Sequence, residues 1–238
     1  MRNHDDAGCS IGVIGAGGGA GASVLATVLA TRAARAGHET VLVDLAPQGG
    51  GIDVLLGCEH EPGPRWLDLA GADGRVDSEA LLPRLPRSSD GVALLSYGRG
   101  WVDVPDRAVR AVCGPLAEAA HVTVHDLGGH PPDWADELDA VLLVTPGRVP
   151  ALAAAQVLTD RLLRLGARPW LVPRGIDDAT LPLVAEALDL PVLEPLPHEP
   201  RVADDVDAGA TPGARERSPL AATADRVLRR LLVERDVA

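Results

Sequence analysis

Apolar residues along this chain gather in short runs separated by glycine-rich turns and helical stretches. Val/Leu/Ile-rich runs near 11–15, 40–44, 91–96, 121–126, 139–145, 169–173 and 191–194 predict strands, and their near-continuous apolarity suits a parallel sheet buried on both faces. Between them, 24–36, 105–119 and 150–165 carry helical periodicity; the first stops at Gly37 and the last is entered through Pro150, which a first turn tolerates. The alternation predicts an α/β fold of three layers: a mainly parallel sheet with helices on both faces, right-handed crossovers, and ligand at the C-terminal strand ends. Residues 1–10 read as a polar tail and 11–238 as a single domain. Within it, 62–89 reads as an insertion over one edge with two short helical stretches, and 208–217 as a Pro/Gly/Arg-rich loop before a last helix capped by Ser218, with Pro219 in its first turn. In that helix Leu220, Ala224, Val227, Leu228, Leu231 and Leu232 form a stripe flanked by Arg226, Arg229, Arg230 and Arg235. Such a stripe superficially suits a membrane interface, but any surface helix needs one to pack on its own domain, so membrane association is expected to be absent or weak.

Composition narrows the classes. The chain of 238 residues is 46% hydrophobic, enough for a sizeable core, and with no Phe and one Tyr that core has to be aliphatic. A net charge of −12 repels polyanions, so no nucleic-acid partner is expected. Cys9, Cys58 and Cys113 are odd in number and far apart, which suggests neither a disulfide framework nor a thiol metal site. The first ten residues hold no apolar leader core, and no run reaches the ~18 apolar residues of a membrane span. A cytoplasmic protein is expected.

The chemistry concentrates at Ile11 to Ser23, IGVIGAGGGAGAS, an apolar strand entering a glycine loop and then a helix. Glycines let consecutive N–H groups converge, and the helix adds unpaired donors and the positive end of its dipole, so Gly17, Gly18, Gly19, Ala20, Gly21, Ala22, Ser23 and Val24 form a candidate phosphate cradle. A P-loop ending in Gly-Lys-Ser/Thr would carry lysine where this chain has Ala22, and lysine occurs nowhere in it. Its absence should harm turnover more than occupancy, because the lysine's charge acts on the phosphates into the transition state. The same loop also fits a dinucleotide fingerprint, Gly15-x-Gly17-x-x-Ala20, with Asp44 closing the next strand. That acid is expected about 20 residues beyond the glycines. Asp44 lies 29 beyond Gly15, so an NAD(P)-dependent oxidoreductase is the second choice.

A second acid supports the P-loop alternative. The run His121 to Asp126 ends in an aspartate followed by Leu127-Gly128-Gly129, as suits a carboxylate reaching Mg²⁺ through water, with the Ser23 hydroxyl as the direct metal ligand. His125 and His130 flank this aspartate and read as solvated turn residues.

Gly18-Gly19-Ala20-Gly21-Ala22-Ser23 resembles the GGxGAS loop of the CpaE/TadZ branch of the MinD/ParA superfamily, P-loop ATPases of deviant Walker A type. Further stretches resemble its septum site-determining, secretion-neighbourhood CpaE-like subgroup: VLVDLAPQGGGIDVLLG (41–57), PGPRWLDLAGADGRVD (62–77), LLSYGRG (94–100) and RVADDVDAGATPGARERSPLA (201–221). The resemblance implies a P-loop NTPase fold, binding of ATP or ADP with Mg²⁺, homodimerisation, and protein partners in a division, pilus or secretion machinery. It places the phosphates on Gly18 to Ser23, Mg²⁺ on Ser23 and Asp126, the first switch I aspartate at Asp44, and base contacts at Pro173 and Arg174. The receiver-like domain that often precedes the ATPase region is not expected ahead of Ile11. Three departures matter: the signature lysine is Gly17, the P-loop lysine is Ala22, and the water-orienting second aspartate of switch I is Ala46. A pseudo-ATPase or very slow ATPase is therefore expected, with an active ATPase using Arg99 as a substitute cation the alternative within the family.

Overall fold

The structure, a computed structural model, describes residues 8–100 and 102–235. Its elements run β1 (Cys9–Gly15), α1 (Ala22–Arg35), β2 (Thr40–Asp44), α2 (Ile52–Leu55), α3 (Trp66–Leu69), α4 (Ser78–Leu81), β3 (Ala93–Leu95), α5 (Asp106–Ala119), β4 (Val122–Asp126), β5 (Ala140–Pro146), α6 (Val149–Arg164), β6 (Pro169–Arg174), α7 (Leu181–Leu188), α8 (Arg201–Asp207) and α9 (Pro219–Arg235). The strands form one sheet of order β3-β2-β4-β1-β5-β6, every neighbour parallel.

Side-chain alternation along the strands builds the three layers. Ile11 and Val13, Leu42, Leu94, Val122 and Val124, Leu142 and Val144 pack with Leu25, Leu29, Ala224 and Val227 of α1 and α9 on one face. The alternate residues Val41 and Val43, Ala93 and Leu95 meet Val112 and Leu116 of α5, while Val141, Leu143 and Leu171 meet Ala155 and Leu162 of α6 and Val184 of α7. The stripe of α9 is thus core: Leu220, Ala224, Val227, Leu228 and Leu231 are buried, and Arg32 of α1 pairs with Asp225 at 2.7 Å. Ser218 caps this helix through the Ala221 N–H. Among the described residues, no helix is long and apolar enough to cross a membrane.

Three expectations need correction. The first strand starts at Cys9, inside the expected polar tail, because the Cys9 N–H bonds the His121 carbonyl and Ser10 bonds the Asp139 carboxylate through both N–H and hydroxyl; residues 1–7 of that tail lie outside the described residues. The run at 191–194 is no regular strand. It touches the edge of β6 only at bridges Leu171–Val192 and Arg174–Leu196, since Pro191, Pro195 and Pro197 lack the N–H a ladder needs. His125 is a buried strand residue and not a solvated turn, its ring edge-on to Trp134 at 5.5 Å.

The site is placed by topology. β1 lies centrally, and the chain reaches β4 and β2 on one side and β5 and β6 on the other, so the loop after β1 opens into a crevice at the C-terminal strand ends.

Candidate functional site

β1 ends at Gly15 and α1 begins at Ala22, leaving six residues to turn the chain. Gly17, Gly19 and Gly21 take φ of 97°, 72° and 98°, values open to glycine and strained for other residues. Alternating handedness of this kind curls backbone N–H groups toward one concave side, an anion-binding nest ahead of the helix dipole. An added Cβ at Gly17, Gly18 or Gly19 would meet nothing within 4 Å, so the outer face of the loop is open. In front of it lies a cleft of about 870 Å³ walled by Leu45 to Gly49, Leu127 to His130, and Ala154, Val157 and Leu158 of α6. Among the described residues, neither Lys nor Arg lines this cleft.

Contiguous with this cleft, Ser23, Asp44, Asp126 and Gly49 to Gly51 line a smaller pocket of about 250 Å³. Asp44 and Asp126 end adjacent strands in register. The Asp126 carboxylate accepts from the Gly128 N–H at 3.1 Å, and the Ser23 side chain beside it in the same pocket favours its charged form. Burial pushes its pKa above the usual carboxylate range despite both. Asp44 is turned inward, accepting from the N–H of Ala46 (2.9 Å) and of Ile52 (3.4 Å). Burial, reinforced by the neighbouring Asp126, raises its pKa to about 7. Hydroxyl and carboxylate oxygens at the start of a helix and the end of a strand are hard donors of the kind Mg²⁺ takes beside substrate phosphates.

The structure therefore brings together Gly17, Gly18, Gly19, Ala20, Gly21, Ala22, Ser23, Val24, Asp44 and Asp126 around two contiguous pockets. Pro173 and Arg174 lie at the end of β6 and stand apart from them. Pro173 is buried within the strand, its carbonyl accepting from Leu196. Arg174 sits at the far side of the loop, on a separate groove of about 500 Å³ that it shares with Gly21, Val24 and the 196–207 segment. Arg99 is not free to replace the lysine: it pairs with the buried Asp53 at 2.7 Å and bonds the Gly50 carbonyl at 3.3 Å, bracing the strap over the smaller pocket. Sequence reasoning missed that brace, and it missed Trp66. This fully buried indole donates to the Asp44 carbonyl at 2.7 Å, while the Trp66 N–H bonds Ser96. The only available signal was a lone tryptophan in an otherwise polar stretch.

A glycine nest closing the central strand of a parallel sheet defines an α/β scaffold of the P-loop type. No protein-family model matches the chain. It is 37% identical over 233 residues to uncharacterized proteins from two strains of Mycobacterium tuberculosis; the match takes in 95% of this chain and spans 65% of the length of those relatives. Among solved structures it is similar to a ParA family ATPase from Chlorobium tepidum (TM-score 0.81, 19% identity, 94% of this chain and 98% of that one). It is also similar to the MinC:MinD cell division protein complex of Aquifex aeolicus (0.78, 19%, 94% and 96%). A third is the septum site-determining protein MinD complexed with Mg-ADP from Pyrococcus horikoshii (0.75, 15%, 94% and 95%). The chain thus has the fold of the MinD/ParA ATPases.

Proposed function

We propose that this protein is a nucleotide-gated positioning or assembly protein of the MinD/ParA type, in the CpaE/TadZ-like branch, which binds ATP or ADP with Mg²⁺ and hydrolyses it very slowly or not at all. The observation that carries the proposal is a built phosphate cleft lacking the expected lysine: the glycine nest, Ser23 and Asp126 are assembled, yet with Ala22 and Gly17 at the lysine positions the cleft of about 870 Å³ holds no Lys or Arg among the described residues. Backbone N–H groups and the α1 dipole hold the phosphates of a ground state. Ser23 and Asp126 hold Mg²⁺, which when bound neutralises β- and γ-phosphate charge. Turnover also needs charge stabilisation in the transition state and an oriented water, and each missing group of this kind typically removes ~3 kcal/mol or more. Asp44, with both carboxylate oxygens on loop amides, orders the strap at 46–52 and does not present itself to a ribose, which speaks against the oxidoreductase alternative. Dimerisation around the open cleft and partners in a division, pilus or secretion machinery, in the cytoplasm, complete the proposal. A phosphate-release assay tests it: ATP turnover at a rate abolished by Ser23→Ala or Asp126→Ala would overturn the pseudo-ATPase assignment, and release indistinguishable from those controls supports it.

A further inference from the structure

We propose that Arg174 is a positioning residue that holds and polarises the glycine loop from behind, supplying part of the positive charge the loop lacks in front; this rests on the nucleotide binding proposed above. Its Nη1 donates to the carbonyls of both Gly19 and Ala20 at 3.0 Å. The same nitrogen lies 3.0 Å from where a Cβ on Gly21 would sit, so a side chain there would press the guanidinium back by a few tenths of an ångström, besides being strained at φ 98°. In a trans peptide the C=O and N–H point in opposite directions. Fixing the Gly19 and Ala20 carbonyls on Arg174 therefore turns the N–H groups of Ala20 and Gly21 away from it; the Ala20 N–H closes a turn on the Gly17 carbonyl at 3.4 Å, which leaves the Gly21 N–H as the donor an anion would meet. A cation on the carbonyl end also polarises each peptide and strengthens the donor at its other end, as in any hydrogen-bond chain of low local dielectric.

The other arginine near the pockets, Arg99, is neutralised by Asp53, whereas Arg174 forms no ion pair among the described residues. Its charge is thus directed at the loop. This differs from a base contact in what it predicts: a base contact affects the nucleoside, while a loop-positioning residue affects the phosphates.

The test uses the full chain as wild type, Arg174→Lys and Arg174→Gln, titrated calorimetrically with Mg-ATP, inorganic tripolyphosphate and adenosine, with amide hydrogen exchange of the unliganded proteins alongside. Losing two charge-assisted bonds should weaken Mg-ATP and tripolyphosphate by about 10- to 100-fold in Arg174→Gln and leave adenosine unchanged, with Arg174→Lys in between. Amides 18–23 of Arg174→Gln should exchange about tenfold faster while those of β5 stay protected, a pattern that global destabilisation does not produce. Loss of adenosine affinity with tripolyphosphate unaffected would make Arg174 a base contact and overturn the proposal. Equal affinities for all three proteins would overturn it too while leaving nucleotide binding intact. If the wild type binds none of the ligands, the nucleotide-binding function falls, and the exchange data decide separately: unchanged loop amides overturn the role of Arg174, faster ones uphold it as a loop support.

Discussion

His125 and Asp44 occupy adjacent strands and titrate abnormally in opposite directions, so replacing His125 with leucine should unmask a pH dependence that the wild type conceals. Burial lowers the imidazole pKa from 6.5 to about 4. Between those values the unfolded chain binds a proton the native protein refuses, so the contribution is intact above 6.5 and is lost as pH falls toward 4. At ~1.36 kcal/mol per unit, this removes about 3 kcal/mol by pH 4. Asp44, raised from 3.8 to about 7, behaves oppositely: the native state keeps a proton the unfolded state releases. That contribution is full below 3.8 and is lost as pH rises to 7, a change of about 4 kcal/mol. The two nearly cancel across the acidic range. In His125→Leu, stability relative to wild type should therefore improve by about 3 kcal/mol between pH 7 and pH 4, because every other titrating group is common to both proteins. The Nδ1 of His125 is buried without a partner among the described residues, so its removal should cost little at pH 7. Urea unfolding followed by far-ultraviolet circular dichroism at a series of pH values measures the difference, and parallel stability curves for the two proteins would refute the reasoning.

Ala22→Lys, placed at the first turn of α1 and facing the cleft, should tighten Mg-ATP about tenfold, since a charge ~4 Å from a phosphate gains ~4 kcal/mol at an effective dielectric of 20 before desolvation and side-chain ordering are subtracted; unchanged affinity in calorimetry counts against a phosphate-binding loop. Trp66→Phe keeps a large ring and loses the donor to the Asp44 carbonyl, so the urea midpoint should fall by the equivalent of about 1 kcal/mol with the slope unchanged. Leu42→Ala, at a fully buried site beneath α1, should cost about 2–5 kcal/mol in the same assay, and a loss below 1 kcal/mol would mean the sheet face collapses around the cavity.

The sheet and its order of helices were legible because both faces are buried: strands such as Thr40 to Asp44 are buried throughout around an apolar Val41-Leu42-Val43 centre, and parallel crossovers leave few topologies. The glycine loop was legible for a different reason, since clustered glycines report a backbone requirement directly. Features that depend on pairs distant in sequence were not. Ser10 belongs to a strand because Asp139 receives it, and Asp53 is buried because Arg99 reaches it from 46 positions away. The run at 191–194 looked strand-like by hydropathy, but Pro191 and the following Pro195 and Pro197 lack donors and limit it to isolated bridges. Arg174 read as a base contact from the resemblance to the MinD/ParA superfamily, and its hydrogen bonds to the loop carbonyls became visible only in three dimensions.

The central claim is that the loop still holds a nucleotide and that Mg²⁺ is part of the bound state. The most direct measurement is calorimetric titration of the purified protein with ATP and ADP, with Mg²⁺ and with chelator. The account predicts saturable binding that depends on Mg²⁺ and is lost in Ser23→Ala. Absence of binding by either nucleotide in the presence of Mg²⁺ would contradict it.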